Sequence, residues 1–254
     1  MQLTNNTIFI TGGTSGIGRG LAEAFHKLGN QVIISGRRKA LLDEVTRANP
    51  GMQSIELDIA DPASIERVAA TLIADYPALN VLVNNAGIMP FDDPSGAIDE
   101  ATALSTIDTN LLGPIRMTSR LVGHLKQQPR ATIINNTSVL AYVPIATNAV
   151  YSATKAALHS YTLSQRFMLR DTSVTVREIA PPWVNTDLVY QGDDPRAMPL
   201  DAFIAQTMDA LATEREEALV DLAVPLRNNA GPDEHTFVNA FNLHIAENPI
   251  PVGA

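Results

Sequence analysis

Thr11-Gly12-Gly13-Thr14-Ser15-Gly16-Ile17-Gly18 is the stretch that decides the fold. Before it stands a short β-branched run at 7–10, and after it the segment 18–28 carries Leu21, Ala22, Phe25 and Leu28 at helical spacing. A strand, a glycine-rich turn and a helix start therefore follow one another. Glycines let the main chain bend and approach a ligand closely, while the free N–H groups and dipole of a helix N-terminus favour phosphate. The spacing departs from strict G-x-G-x-x-G, so the stretch taken alone leaves a plain strand-to-helix turn open.

Working outward, further short apolar runs stand at 31–35, 53–57, 80–83, 131–135 and 173–179. Several are apolar almost throughout, as expected of parallel strands covered on both faces. Helical segments lie between them, at 40–48 and at 63–73 after the capping pair Asp61-Pro62. This alternation predicts an α/β fold with a doubly wound, mainly parallel sheet, helices on both faces, and ligands beyond the carboxyl ends of the strands. Without repeats or a low-complexity linker, 1–254 reads as one domain. Within the segment 187–213, residues 187–200 read either as a mobile loop over the site or as an ordinary surface loop, and 201–213 read as a helix. A last helix is expected at 233–247.

Composition narrows the function. Hydrophobic residues at 45% and charged residues at 18% describe a globular chain with material for a sizeable core. With 18 basic against 27 acidic residues, and a formal charge of −9, nucleic acid is a poor partner. Zero cysteines exclude a disulfide framework, a thiolate nucleophile and Cys-ligated zinc. No run approaches the roughly 18 apolar residues of a membrane span and no secretory pattern stands at the N-terminus, so a cytoplasmic location and no membrane partner are expected. No residue cluster suggests a metal site.

Further motifs follow in order. Asn84-Asn85-Ala86-Gly87 closes the fourth run, Asn110 begins N-x-x-G, Ser138 follows the fifth, and Tyr151-Ser152-Ala153-Thr154-Lys155 opens a helix. Four residues apart on a helix, Tyr151 and Lys155 face the same way, which sets an ammonium near a phenol. An opposite charge stabilises phenolate, so the Tyr151 pKa is expected to fall from about 10 and the group to exchange protons with a carbonyl or alcohol oxygen. Ser138 can donate to the same oxygen. Singly, these residues also read as a half-buried aromatic, a solvated charge, a strand-end cap and a helix cap.

With Thr11, Gly12, Gly16 and Gly18 meeting T-G-x-x-x-G-x-G, this ordered set resembles the short-chain dehydrogenase/reductase family over residues 7–187. The resemblance implies a Rossmann-like, nicotinamide-dependent oxidoreductase. It implies that Lys155 also contacts the nicotinamide ribose, that Asn110 shapes a water relay, and that Asp58, with Ile59 beside it, meets adenine. Gly12, Thr14, Ser15, Gly16, Ile17 and Gly18, with Asn85, Ala86 and Gly87, then line the cofactor. Pro181, Val184 and Thr186 stand where the family holds the carboxamide; Pro182 replaces its usual glycine, which removes a main-chain donor and stiffens the turn.

Where the second run ends, an acidic residue would accept the ribose hydroxyls and repel a 2′-phosphate. Here Arg37 and Arg38 follow Gly36 instead. Two guanidinium groups and no carboxylate favour NADP(H) over NAD(H), with Arg37 the main contact and Ser15 assisting; the alternative is two solvated charges at a helix start. Val139, Leu140, Tyr142, Trp183, Val189 and Tyr190 form the expected substrate pocket, with ordinary core as the competing reading. No Lys or Arg lies in those segments, which suits a small to medium neutral ketone or alcohol.

No seventh strand is evident. The tetramer contact common in the family is then in doubt, and a homodimer through the helices near 102–125 and 150–168 is expected. The leading reading is an NADP-dependent carbonyl reductase or secondary alcohol dehydrogenase. A non-catalytic NADP-binding regulatory or partner-binding protein on the same fold is the alternative.

Overall fold

The computed structural model describes residues 1–189, 192, 194–228 and 231–249. Seven parallel strands form one sheet among these residues: β1 (Thr7–Thr11), β2 (Gln31–Gly36), β3 (Gln53–Glu56), β4 (Leu79–Asn84), β5 (Ala131–Asn136), β6 (Val174–Ile179) and β7 (Glu217–Ala218). Their order is β3-β2-β1-β4-β5-β6-β7. The chain thus runs outward from β1 to β3, then crosses to β4 and runs the other way. That reversal beside β1 opens a crevice at the carboxyl ends of β1 and β4.

Side-chain alternation along the strands builds two apolar layers. Ile8, Ile10, Val32 and Ile34 point to one face, where they meet Leu21 and Phe25 of α1 (Gly16–Lys27), Leu42 and Val45 of α2 (Lys39–Ala48), and Phe203 of a later helix. Phe9, Ile33, Leu82 and Ile133 point to the other face. There they meet Val68 and Leu72 of α3 (Pro62–Asp75) and further on Met117 and Leu121. Full burial on both faces explains why these strands read as continuous apolar runs.

The expected helix near 102–125 is divided. α4 (Glu100–Ile107) and α5 (Gly113–Leu125) flank a wide π-type turn at Asp108–Leu112, and Asn110 lies in that turn. Among the described residues the remaining α-helices are α6 (Ala149–Leu169), α7 (Leu200–Ala212), α8 (Val224–Arg227) and α9 (Glu234–Glu247).

The expectation of no seventh strand is corrected. β7 is two residues long and pairs with β6 through Glu178 with Glu217 and Ile179 with Ala218. So short a strand leaves no β-branched run to read, and its existence depends on the neighbour that it pairs with. No described helix is long and apolar enough to cross a membrane.

Candidate active site

The glycine turn is built for close approach. Gly12 and Gly16 hold φ of +69° and +52°, values that favour glycine. A Cβ at Gly18 would lie 2.2 Å from the Gly12 carbonyl oxygen, so α1 packs this tightly on the strand end only with glycine there. Ser15, the residue before α1, makes no side-chain cap, and the first turn has no acidic residue. The first N–H groups of α1 therefore have no side-chain partner and face the crevice, a donor set suited to a pyrophosphate.

Asparagines fasten the neighbouring strand ends. Asn85 Nδ2 donates to the carbonyls of Thr11 and Gly12 at 3.0 and 3.1 Å, and Asn136 Nδ2 donates to Asn85 Oδ1 at 2.8 Å. The ends of β1, β4 and β5 are thereby held in one frame.

A cavity of about 1110 Å³ follows this frame. That exceeds the roughly 300–1,000 Å³ usual for one ligand, leaving room for a dinucleotide and a second molecule. At one end stand Arg37, Arg38, Asp58 and Ile59; the middle is Gly12, Thr14, Ser15, Gly16, Ile17 and Gly18, with Asn85, Ala86 and Gly87 opposite. Ser138, Tyr151, Lys155, Pro181, Val184 and Thr186 line the other end. Arg38 Nη2 reaches Thr14 Oγ1 at 3.5 Å.

Ser138, Tyr151 and Lys155 are each nearly buried at this end. Ser138 Oγ accepts from the Leu140 N–H at 3.1 Å, so its own hydrogen can be directed to an oxygen on the cavity side, the Tyr151 phenol included. Lys155 Nζ donates to the Asn136 carbonyl oxygen at 2.8 Å and lies 5.5 Å from the Tyr151 ring centroid. The expected fall of the Tyr151 pKa is corrected here. Burial pushes the phenol up to about 12 against the opposing pull of Ser138, and burial pushes the Lys155 ammonium down to about 8. Desolvation is the leading cause for both groups, and the ammonium is directed at a main-chain carbonyl.

Asn110 stands one layer behind the cavity wall. Its Oδ1 accepts from the Ile88 N–H at 2.9 Å and its Nδ2 donates to the Ile88 carbonyl at 2.8 Å, fixing the segment that follows β4.

Val139, Leu140, Trp183 and Val189 line the outer cavity, while Tyr190 falls outside the described residues. Tyr142 does not line it: its hydroxyl turns to Glu178 at 3.3 Å and its ring packs edge-on to His159. Leu222, Leu226, Phe241, His244 and Ile245 complete the wall from the C-terminal region. The segments named from the sequence carry no Lys or Arg, yet Arg196, from outside them, also lies on this wall. It pairs with Asp194 at 2.6 Å, donates to the Pro249 carbonyl at 3.1 Å, and sits 5.1 Å from the Trp183 ring. No local sequence signal announces Arg196 or His244, since both reach the cavity through long-range packing.

The sequence profile of the short chain dehydrogenases matches residues 6–197. The chain is 39% identical over 248 residues to DltE of Bacillus subtilis (strain 168), an uncharacterized oxidoreductase, covering 95% of this chain and 98% of that one. It is 34% identical over 198 residues to the NADP-dependent 3-hydroxy acid dehydrogenase YdfG of Salmonella typhimurium, covering 75% and 79% of the two chains. A short chain dehydrogenase from Burkholderia cenocepacia J2315, solved in complex with NADP, superimposes with a TM-score of 0.83 at 25% identity, covering 99% and 100%. The chain belongs to the short-chain dehydrogenase family of oxidoreductases.

Proposed function

We propose that the chain is an NADP(H)-dependent carbonyl reductase or secondary alcohol dehydrogenase acting on small to medium neutral ketones and alcohols. One observation carries the reading: Ser138, Tyr151 and Lys155 meet at one end of a cavity whose middle is the open N-terminus of α1. The donor set fits a dinucleotide, with the first turn of α1 on the pyrophosphate, Arg37 and Arg38 on a 2′-phosphate, and Lys155 at the nicotinamide ribose.

When bound, NADPH would supply the hydride that such a reduction requires. Tyr151 gives its phenolic proton to the carbonyl oxygen, and its burial keeps that proton in place at neutral pH. Ser138 donates a hydrogen bond to the same oxygen as charge gathers there. Lys155 holds positive charge near the phenolate left behind, which regains its proton from solvent; Asn110, whose family counterpart shapes a water relay, is assigned to that path. In the oxidative direction the same phenolate takes the proton of the alcohol.

The test is Tyr151→Phe, assayed by NADPH consumption over a panel of ketones and by NADPH binding. Turnover is expected to fall by about 10²- to 10⁴-fold with binding retained. Full activity in the variant removes Tyr151 from the chemistry, and tight binding by the wild type with no turnover on any substrate favours the regulatory alternative.

A second substrate reading rests on Arg196 and His244 in the outer wall, which would suit a hydroxy acid such as the substrate class named for YdfG. Asp194 already neutralises Arg196, which weighs towards the neutral substrate. Turnover of 3-hydroxy acids in preference to neutral alcohols would reverse that choice. We further propose a homodimer through α4, α5 and α6.

A further inference from the structure

Glu178 of β6 is fully buried, and nothing in the proposed chemistry uses it. It accepts from Thr137 Oγ1 at 2.7 Å and from the Tyr142 hydroxyl at 3.3 Å, and both its oxygens lie 2.9 Å from His159 Nδ1. A carboxylate only accepts, so Nδ1 carries a hydrogen there. These three partners are not scattered. Thr137 precedes Ser138, Tyr142 closes the single turn Val139–Ala141 that the Ser138 hydroxyl caps, and His159 stands one helical turn beyond Lys155 and two beyond Tyr151.

Burying a carboxylate is costly, and this site makes it costlier. Glu217 on β7 is the register partner of Glu178, which sets two carboxylates side by side on one face of the sheet. Arg227 of α8 answers the second one, with Nε and Nη2 both 3.0 Å from Glu217 and its guanidinium 4.7 Å from the Tyr142 ring centroid. Arg227 thus places a cation beside Glu217, while His159, Glu178 and Glu217 bring their polar atoms within 4.8 Å of one another. Burial and the neighbouring Glu178 raise the Tyr142 phenol well above its ordinary value, which keeps it a donor to that carboxylate. An apolar residue would fill the space with less desolvation, so the network's return is geometric: it fixes relative positions that packing alone leaves looser.

We infer that Glu178 is a positioning residue for the reaction, tying both flanks of Ser138 to the helix that carries Tyr151 and Lys155. This rests on the proposed roles of those three groups. Ser138 must meet the same substrate oxygen as Tyr151, and a misplacement on the order of 1 Å in such a group costs about 100-fold in rate.

The experiment is a double-mutant cycle on the full chain, with Glu178→Gln, Ser138→Ala and the pair, read as single-turnover rate with excess enzyme and as NADPH affinity. Glu178→Gln is expected to lower the rate about tenfold with NADPH affinity unchanged, and to lower it less than about twofold when Ser138 is already alanine. An unchanged rate in the single variant overturns the inference, as does an equal tenfold loss in both backgrounds. Should Glu178→Gln fold poorly, Thr137→Val and Tyr142→Phe each remove one donor to the carboxylate, and the same coupling to Ser138→Ala is expected; additive losses again overturn it. Full activity of Ser138→Ala and Tyr151→Phe would instead defeat the reaction assignment on which the inference stands.

Discussion

Lys155 Nζ donates to the Asn136 carbonyl oxygen, and Asn136 in turn donates to Asn85, so the ammonium is fastened to the same frame that carries the glycine turn. Its position is fixed by the sheet more than by the phenol four residues away. The ammonium is held at the cost of desolvation, and that cost is measurable.

Removing the buried charge with Lys155→Met should raise the melting temperature of the nucleotide-free protein by several degrees at pH 7 while abolishing turnover. The pKa of Lys155 is lowered on folding to about 8 from an unfolded value near 10.5. Between those values the unfolded chain binds the extra proton, so wild-type stability rises with pH across that window. The advantage of the variant is therefore greatest below pH 8 and should shrink towards pH 10.5, as thermal melts over that range would show. An advantage that does not change with pH would mean that apolar packing, and not charge, is responsible.

Cofactor choice should respond to Arg37 and Arg38. Losing a charge-assisted contact to a 2′-phosphate costs about 1.5–3 kcal/mol, or roughly 10- to 100-fold. Arg37→Ala is expected to lower kcat/KM with NADPH by that factor and to leave the value with NADH nearly unchanged, with Arg38→Ala adding a further loss. Steady-state kinetics with both nucleotides decides this, and a wild-type preference for NADH would end the NADP proposal.

Two glycines give opposite outcomes. Gly18→Ala forces a Cβ to within 2.2 Å of the Gly12 carbonyl oxygen, so α1 must shift; a loss of about 1–3 kcal/mol in stability and weaker NADPH binding are expected. Gly123, inside α5, has nothing within 4 Å of an added Cβ, and Gly123→Ala should stabilise by roughly 0.5–1 kcal/mol through helix propensity. Paired denaturant unfolding curves would read both.

The proposed homodimer has a surface that can be challenged. Phe167 and Met168 on α6 are 62% and 73% exposed, with Leu163 nearby on the same helix. Phe167→Glu should shift the mass measured by light scattering from dimer to monomer while NADPH binding persists. A wild type that is monomeric at micromolar concentration would remove the dimer.

Much of this molecule was legible because its signals are local. The glycine turn depends on main-chain conformation within eight residues, and Tyr151 with Lys155 depends only on helical spacing, so both could be found without coordinates. The strands were legible because residues such as Ile8, Phe9 and Ile10 are buried on both sides and must all be apolar. Missed features share a different cause. β7 exists only because Glu217 and Ala218 find β6, and Tyr142 turned away from the cavity because Glu178 accepts its hydroxyl from the far side of the chain.

By itself the sequence determined the parallel α/β sheet, the glycine-lined crevice and the residues that meet at its end, since propensity, periodicity and short-range spacing specify each of them. Only the tertiary structure decided which carbonyl holds Lys155, that Arg196 and His244 close the outer wall, and that Glu178 binds the Ser138 turn to α6. Those outcomes are hydrogen bonds and contacts between residues distant in the chain, and desolvation, which raises the Tyr151 pKa and lowers that of Lys155, is a property of everything packed around a group, wherever in the chain it comes from.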